Sequence, residues 1–465
     1  MNYRALIALI LLTLVLAGGT VWYLQATSRL NLPQRLPGAD LRPSAPLEKD
    51  LDLAQGKLET FSRPTPPAAI PGRWPNFRGA LLDNIAVDEK VNLDRQWPTS
   101  GPKLLWEKNL GEGYAGAAIY DGRVYLLDYD QAAERDILRC FALEDGKDLW
   151  TYSYPIKIKR FHGMSRTVPA LTDKYLLTLG PKCHVLCLER EIGKFRWGID
   201  LVKAYGATVP QWYAGQCPLI DAERAIIAPG GKNLMFAVEL ATGKVLWTTP
   251  NPRDWKMTHS SIIPLEVDGQ KMFVTCYTGG VAGIAAEDGR LLWETTEWKI
   301  SIATVPTPVP AGGGKILLTG GYNAGAMMLQ VARAGEKWSA RPLWRLDPKV
   351  FGTEQQTPIL YQGNFYAVRQ DKQLVCLSPA GAELWASGAA NTFGLGPFLV
   401  INDLIYALDD EGLLRLVEAN ATGYQELARA RVLNGHDSWG PLAYAAGRLL
   451  ARDLTRMVCL EIGKP

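Results

Sequence analysis

Ala237-Val238-Glu239-Leu240-Ala241-Thr242-Gly243-Lys244-Val245-Leu246-Trp247 is the stretch that decides the fold. It reads as an apolar strand, a tight turn on Gly243 and a second strand ending in Trp. Glycine supplies the positive φ that such a turn needs. The pattern recurs along the chain. Trp106, Trp150, Trp197, Trp247, Trp293, Trp344 and Trp385 follow one another at intervals of 41 to 51 residues. Turn glycines precede five of them, at Gly146, Gly193, Gly243, Gly289 and Gly381.

A second marker has the same period. Pro169, Pro218, Pro264, Pro308, Pro358, Pro397 and Pro441 each start an apolar strand, and Ala117 holds that place in the first copy. A turn and another strand follow, as in Val124-Tyr125-Leu126-Leu127. Proline at a strand start removes no ladder hydrogen bond. Eight copies of four strands predict an all-β, eight-bladed β-propeller of four-stranded antiparallel blades over residues 74–465. The eighth copy stops after three strands. Pro102-Lys103-Leu104-Leu105-Trp106 is expected to supply its missing outer strand and so close the ring. The seventh copy has no closing Trp, and 427–433 is expected to form its outer strand.

Composition agrees. The 465 residues include 45 Gly, 30 Pro and 15 Trp, as expected for many turns between short strands. Lys and Arg exceed Asp and Glu by 3, and no long basic run argues for nucleic acid. The seven Cys are an odd count in a chain too long to need disulfide staples. Cys140, Cys187, Cys376 and Cys459 share one repeat slot, which is read as interior, where a free thiol behaves as a small apolar residue.

The N-terminus stands apart. Met1 to Arg4 reads as a cytoplasmic stub. Ala5 to Leu24 then runs without a charge, long enough to span a bilayer core of roughly 30 Å. Trp22 and Tyr23 suit the far interface. The expectation is a single-pass transmembrane signal anchor over 5–24, with the propeller on the extracytoplasmic (periplasmic) side of the cytoplasmic membrane. The alternative is a cleaved signal peptide, with Val15-Leu16-Ala17 at the cleavage site and the chain secreted. Residues 25–73 carry many prolines, read as an extended linker in which 47–58 forms a short helix at most.

The stretch Ala237 to Trp247 resembles the tryptophan-docking motif Ala-x-Asp-x-x-Thr-Gly-x-x-x-Trp of PQQ-binding-like repeat proteins, with Glu239 in place of Asp. Trp74-Pro75-Asn76-Phe77-Arg78-Gly79 and Leu110-Gly111-Glu112-Gly113-Tyr114 resemble segments of the same family. The resemblance covers about Trp74 to Gly463 and implies the propeller fold. It points two ways in function. Quinoprotein alcohol dehydrogenases hold pyrroloquinoline quinone (PQQ) and calcium in the axial funnel. The propeller lipoprotein of outer-membrane assembly has the same blades and acts as a scaffold.

Chemistry at the funnel is sparse in the sequence. There is no adjacent Cys pair, no Cys-x-x-Cys-His and no Gly-x-Ser-x-Gly. No catalytic residue and no metal ligand is assigned. His162, His259 and His436 each precede an inner-strand proline, so their loops converge on one mouth of the funnel. Arg166, Gln211, Trp212, Gln216, Glu354, Gln355, Asp437 and Trp439 fall in the same loops and complete the set of candidate ligand-binding residues. The leading expectation is a non-catalytic envelope scaffold that binds a protein partner, with no cofactor. The alternatives are a PQQ- and calcium-dependent oxidoreductase with an atypical site, and a small-ligand binder at the funnel.

Overall fold

The computed structural model describes residues 3, 13–23, 52–63, 68–160 and 163–464. Residues 13–23 are helical. The rest of the expected 5–24 span lies outside the described residues, among which no helix is long and apolar enough to cross a membrane. Leu53–Pro465 form one compact unit, and Met1–Asp52 another.

Among the described residues the larger unit holds eight blade sheets and a two-stranded ladder of Asn92–Leu93 with Gly463–Lys464. Blades 1 to 7 occupy 118–155, 170–200, 219–250, 263–295, 309–346, 359–386 and 398–431. Blade 8 joins both ends of the chain. Three strands come from 443–461, and Lys103–Asn109 pairs as the outer strand with Arg456–Glu461. The predicted closure is therefore present, and it leaves no open seam in the ring.

Each blade is too thin to bury its own faces, so neighbours do it. Tyr125, Leu126 and Leu127 are consecutive in one strand, yet all are buried. The outer Trp of one blade docks on the turn of the next. A Cβ added at Gly146, Gly193, Gly243 or Gly289 would strike the ring of Trp106, Trp150, Trp197 or Trp247. Trp106, Trp150, Trp197 and Trp385 also donate Nε1–H to the carbonyls of Leu143, Glu191, Leu240 and Asn420, at 2.8, 3.0, 2.8 and 2.8 Å.

Trp247 docks on its glycine with Nε1–H buried and unpartnered, and the missing docks of blades 4 and 7 have a cause. Blade 5 replaces the short turn with a hairpin of Gly325–Ala334 and Lys337–Leu346. With no glycine platform there, Trp293 of blade 4 turns its Nε1–H to Met272 Sδ, 3.2 Å away in its own blade. Blade 8 has no turn between its last two strands, because they come from opposite ends of the chain. Blade 7 accordingly carries Ala428 at the Trp position, within an outer strand that runs Glu426–Arg431.

The repeated Cys slot is also explained. Cys140, Cys187, Cys376 and Cys459 lie directly across the ladder from Trp150, Trp197, Trp385 and Trp106. A small residue there leaves room for the indole, as Ala237 and Gly283 do opposite Trp247 and Trp293. A β-bulge follows this pair in all eight blades, which adds local twist.

Around the axis, the residues before the inner strands link blade to blade. Val168 N–H donates to Cys217 Sγ (3.3 Å), Cys217 N–H to Ser261 Oγ (3.0 Å), Ser261 N–H to Thr307 Oγ1 (3.3 Å) and Thr307 N–H to Thr357 Oγ1 (2.9 Å). Blades 2 to 6 are tied this way. In blades 7, 8 and 1 the place is taken by Gly396, Gly440 and Gly116.

Part of the stretch read as linker is structured. Leu53–Gln55 is a single 3-10 turn rather than a longer helix, and Lys57–Thr60 pairs with the outer strand of blade 1. Further on, residues 74–86 cross the axis. Trp74 pairs with Ile119 of blade 1, and Pro75 O accepts from Leu171 N–H of blade 2. Arg78 reaches the Thr357 and Pro358 carbonyls before blade 6, and Ile85 pairs with Val400 of blade 7. This crossing segment closes one end of the channel.

Candidate functional site

A cavity of about 310 Å³ sits on the axis above the crossing segment. Phe77 of that segment forms its floor. The loops before the inner strands form its walls, with Tyr114 from blade 1, Arg166 from blade 2, Trp212 from blade 3 and His259 from blade 4. Gln355 and Gln356 come from blade 6 and Trp439 from blade 8, while Tyr322 reaches in from blade 5.

The aromatic walls are braced from behind. Tyr114 and Trp439 lie with ring centroids 5.0 Å apart. Trp439 Nε1–H donates to Asp410 Oδ1 (2.7 Å), and Tyr114 Oη–H donates to Asp437 Oδ2 (3.2 Å). Burial and that carboxylate push the Tyr114 hydroxyl well above its ordinary range, so it stays a neutral donor.

Among the described residues, Arg166 is the one charged residue on the wall. Its Nε–H donates to the Trp212 carbonyl, and its guanidinium lies 5.1 Å over the Tyr114 ring. Burial lowers its pKa to about 10, so it remains a cation at neutral pH. His259 is the opposite case. Burial first, and the Arg166 charge second, push it down to about 4. A backbone hydrogen bond with Tyr213 engages the ring, yet Nε2 is buried without a partner. A neutral imidazole with one nitrogen donating presents a lone pair on the other. Gly215 permits this packing, because a Cβ there would meet the His259 ring.

The candidate set divides sharply. Arg166, Trp212, His259, Gln355 and Trp439 line the cavity. His436 and Asp437 line a second space of about 290 Å³ beside it, with Glu112 and Arg160. Asp437 reaches the main site through Tyr114 and through its own carbonyl, which accepts from Trp439 N–H at 2.7 Å. Glu354 is drawn away to Lys372 Nζ (2.6 Å). Gln216 is buried, and its Nε2–H donates to the Ser260 carbonyl (3.1 Å). Gln211 is exposed and lines neither space. His162 lies outside the described residues. Phe77, Tyr114 and Tyr322 were missed as site residues. The first two fall within the quoted family segments, which carry the resemblance of fold and name no site residue.

Calcium takes six to eight oxygen ligands, carboxylates foremost. Among the described residues no carboxylate lines the cavity, and a guanidinium faces it. This wall does not fit a calcium ion. A flat organic anion fits it better, through stacking on the indoles and charge-assisted hydrogen bonds to Arg166.

Comparisons with known proteins agree on the fold. Residues 133–344 match the family described as outer membrane protein assembly factor BamB. No curated protein matches the chain. Among solved structures it is similar to BamB from Moraxella catarrhalis, with TM-score 0.54 and 13% identity over 77% of this chain and 99% of that one. It is similar to a europium-containing methanol dehydrogenase, with TM-score 0.59 and 11% identity over 82% and 89%. It is also similar to the quinohemoprotein alcohol dehydrogenase ADHIIG from Pseudomonas putida HK5, with TM-score 0.57 and 10% identity over 85% and 81%. At such identities the likeness shows the fold alone, an eight-bladed propeller of PQQ-like repeats.

Proposed function

We propose that this propeller is a non-catalytic binding protein of the cell envelope whose axial cavity takes a small planar organic acid. One observation carries the reading. A half-buried cation, Arg166, shares a wall with Trp212, Trp439 and the neutral ring of His259, and among the described residues no carboxylate interrupts that wall. The acid group pairs with Arg166 and the rings stack on the indoles, with the neutral His259 ring completing the wall. Placement outside the cytoplasmic membrane, behind an N-terminal apolar segment, belongs to the same proposal.

PQQ is the natural probe, since it is flat and carboxylated. Quenching of tryptophan fluorescence on adding PQQ is expected with or without calcium. Quenching that requires calcium, accompanied by dye-coupled alcohol oxidation, would instead support a quinone dehydrogenase.

A second reading, favoured by the match of 133–344 to the BamB family, is a scaffold for a protein partner in the envelope. It is compatible with a filled cavity. Co-purification of the same envelope protein from cross-linked and untreated membranes is its test, and no shared partner would remove it.

A further inference from the structure

Blade 1 is the blade with a strand added outside its outer edge, and the added strand belongs to the segment 53–63. It lies in the groove between the outer strands of blades 1 and 2. Lys57, Leu58, Glu59 and Thr60 pair antiparallel with Ser153, Tyr152, Thr151 and Trp150. Phe61 N–H continues the ladder to the Leu149 carbonyl at 3.0 Å.

The groove reads this segment at four points. Tyr152 Oη–H donates to the Leu53 carbonyl at 2.6 Å. The Leu53 side chain enters a bay left open by Gly198, where a Cβ would come within 3.0 Å of it. Gly56 passes flat over the Tyr152 ring, and a Cβ there would drive into that ring. Leu58 fills a second bay beside Gly193 and Trp150. At the far end Arg63 bonds Glu144 Oε1 at 2.6 Å and Asp145 Oδ1 at 3.1 Å. The floor is the stacked pair Tyr152 and Phe195, with centroids 5.9 Å apart. Leu at the first position, Gly at the fourth, Leu at the sixth and Arg at the eleventh therefore define what fits.

The hold is shallow. The strand has four residues, three of them exposed, and Leu58 and Phe61 keep 40% and 42% of their surface in solvent. Short, exposed ladders sit at the low end of local stability and open without global unfolding. Strand addition to a sheet edge, with side-chain bays for specificity, is a general mode of peptide recognition.

We propose that this groove is a peptide-docking site which the chain's own 53–63 segment occupies in cis. Its partner in trans is an extended polypeptide with the same Leu, Gly, Leu and Arg spacing, which displaces the segment and becomes the outermost strand of the blade 1 sheet. This site is separate from the axial cavity, and neither reading depends on the other.

The test uses the full chain and a fluorescein-labelled peptide of residues 53–63. Gly56→Val in the chain should release the cis segment and speed hydrogen exchange of the amides at 150–153. The peptide should then bind this variant at least tenfold more tightly than it binds the unaltered chain, and restore slow exchange. A peptide carrying the Val should not bind. Arg63→Glu, which leaves the blade cores untouched, opens the groove independently and should behave likewise. Peptide that fails to bind once 150–153 exchange rapidly would overturn the proposal, as would slow exchange at 150–153 in both variants.

Discussion

Asp136 shows what a single buried carboxyl does to this fold. It is fully buried, its Oδ2 accepts from Tyr154 Oη–H at 2.7 Å, and its Oδ1 has no partner. Burial raises its pKa to about 7. Unfolded, it would titrate near 4. Between those values the folded state binds more protons than the unfolded one, so stability falls as pH rises through the window. Asp136→Asn keeps a neutral partner for Tyr154 and should remove that loss. The expected gain over the unaltered chain is about 1–3 kcal/mol at pH 8 and close to nothing at pH 4. Urea unfolding at the two pH values checks it, and an equal difference at both would contradict it. Arg166 is the corresponding residue for binding. Arg166→Leu should weaken a carboxylate ligand at least tenfold, since charge-assisted hydrogen bonds contribute about 1.5–3 kcal/mol, and titration with the same probe at constant pH reads the change.

Between blades, the docking of Trp on Gly gives a graded prediction. Trp197 donates to the Leu240 carbonyl, whereas Trp293 has only a sulfur contact within its own blade. Trp197→Phe leaves the Leu240 carbonyl only the weak Cys187 Sγ–H donor at 3.4 Å and should cost about 1 kcal/mol more than Trp293→Phe. Thermal unfolding of the two variants ranks them, and the reverse order would sink the docking account. The axial links give another. Cys217→Ser keeps an acceptor for Val168 N–H, while Cys217→Val orphans it at a cost of about 1–3 kcal/mol. These elements were legible in the sequence because their causes are local. A turn needs glycine, and a strand start tolerates proline. The site was only half legible. Gln211 and Trp212 are adjacent, yet one faces solvent and the other the cavity. Glu354 and Gln355 are adjacent too, and Lys372 draws the first away. Loop path decides such outcomes, and no period in the sequence records it. The strand Lys57–Thr60 escaped for a related reason, since its partner lies some ninety residues away on a blade edge.

On the scale of the whole molecule, the ring is held shut twice. Lys103–Asn109 completes blade 8, and residues 74–86 strap one end of the channel. Arg78 anchors the strap by donating to the carbonyls of Leu82, Asp83, Thr357 and Pro358. Burial lowers its pKa to about 10, so it stays charged. Arg78→Leu would leave these carbonyls without their donor and should cost about 3 kcal/mol or more, seen as a lower melting temperature. The strap also gives the axial cavity its floor, which makes it a blind pocket instead of a pore. That blind, aromatic pocket, lined among the described residues by no carboxylate, is the basis of the functional reading. Calorimetric titration of the unaltered protein with PQQ in the presence of EDTA tests it most directly. A saturable, one-to-one isotherm that weakens at least tenfold in Arg166→Leu is the predicted result. A folded protein that gives no heat in EDTA, or binds only once calcium is restored, would contradict it.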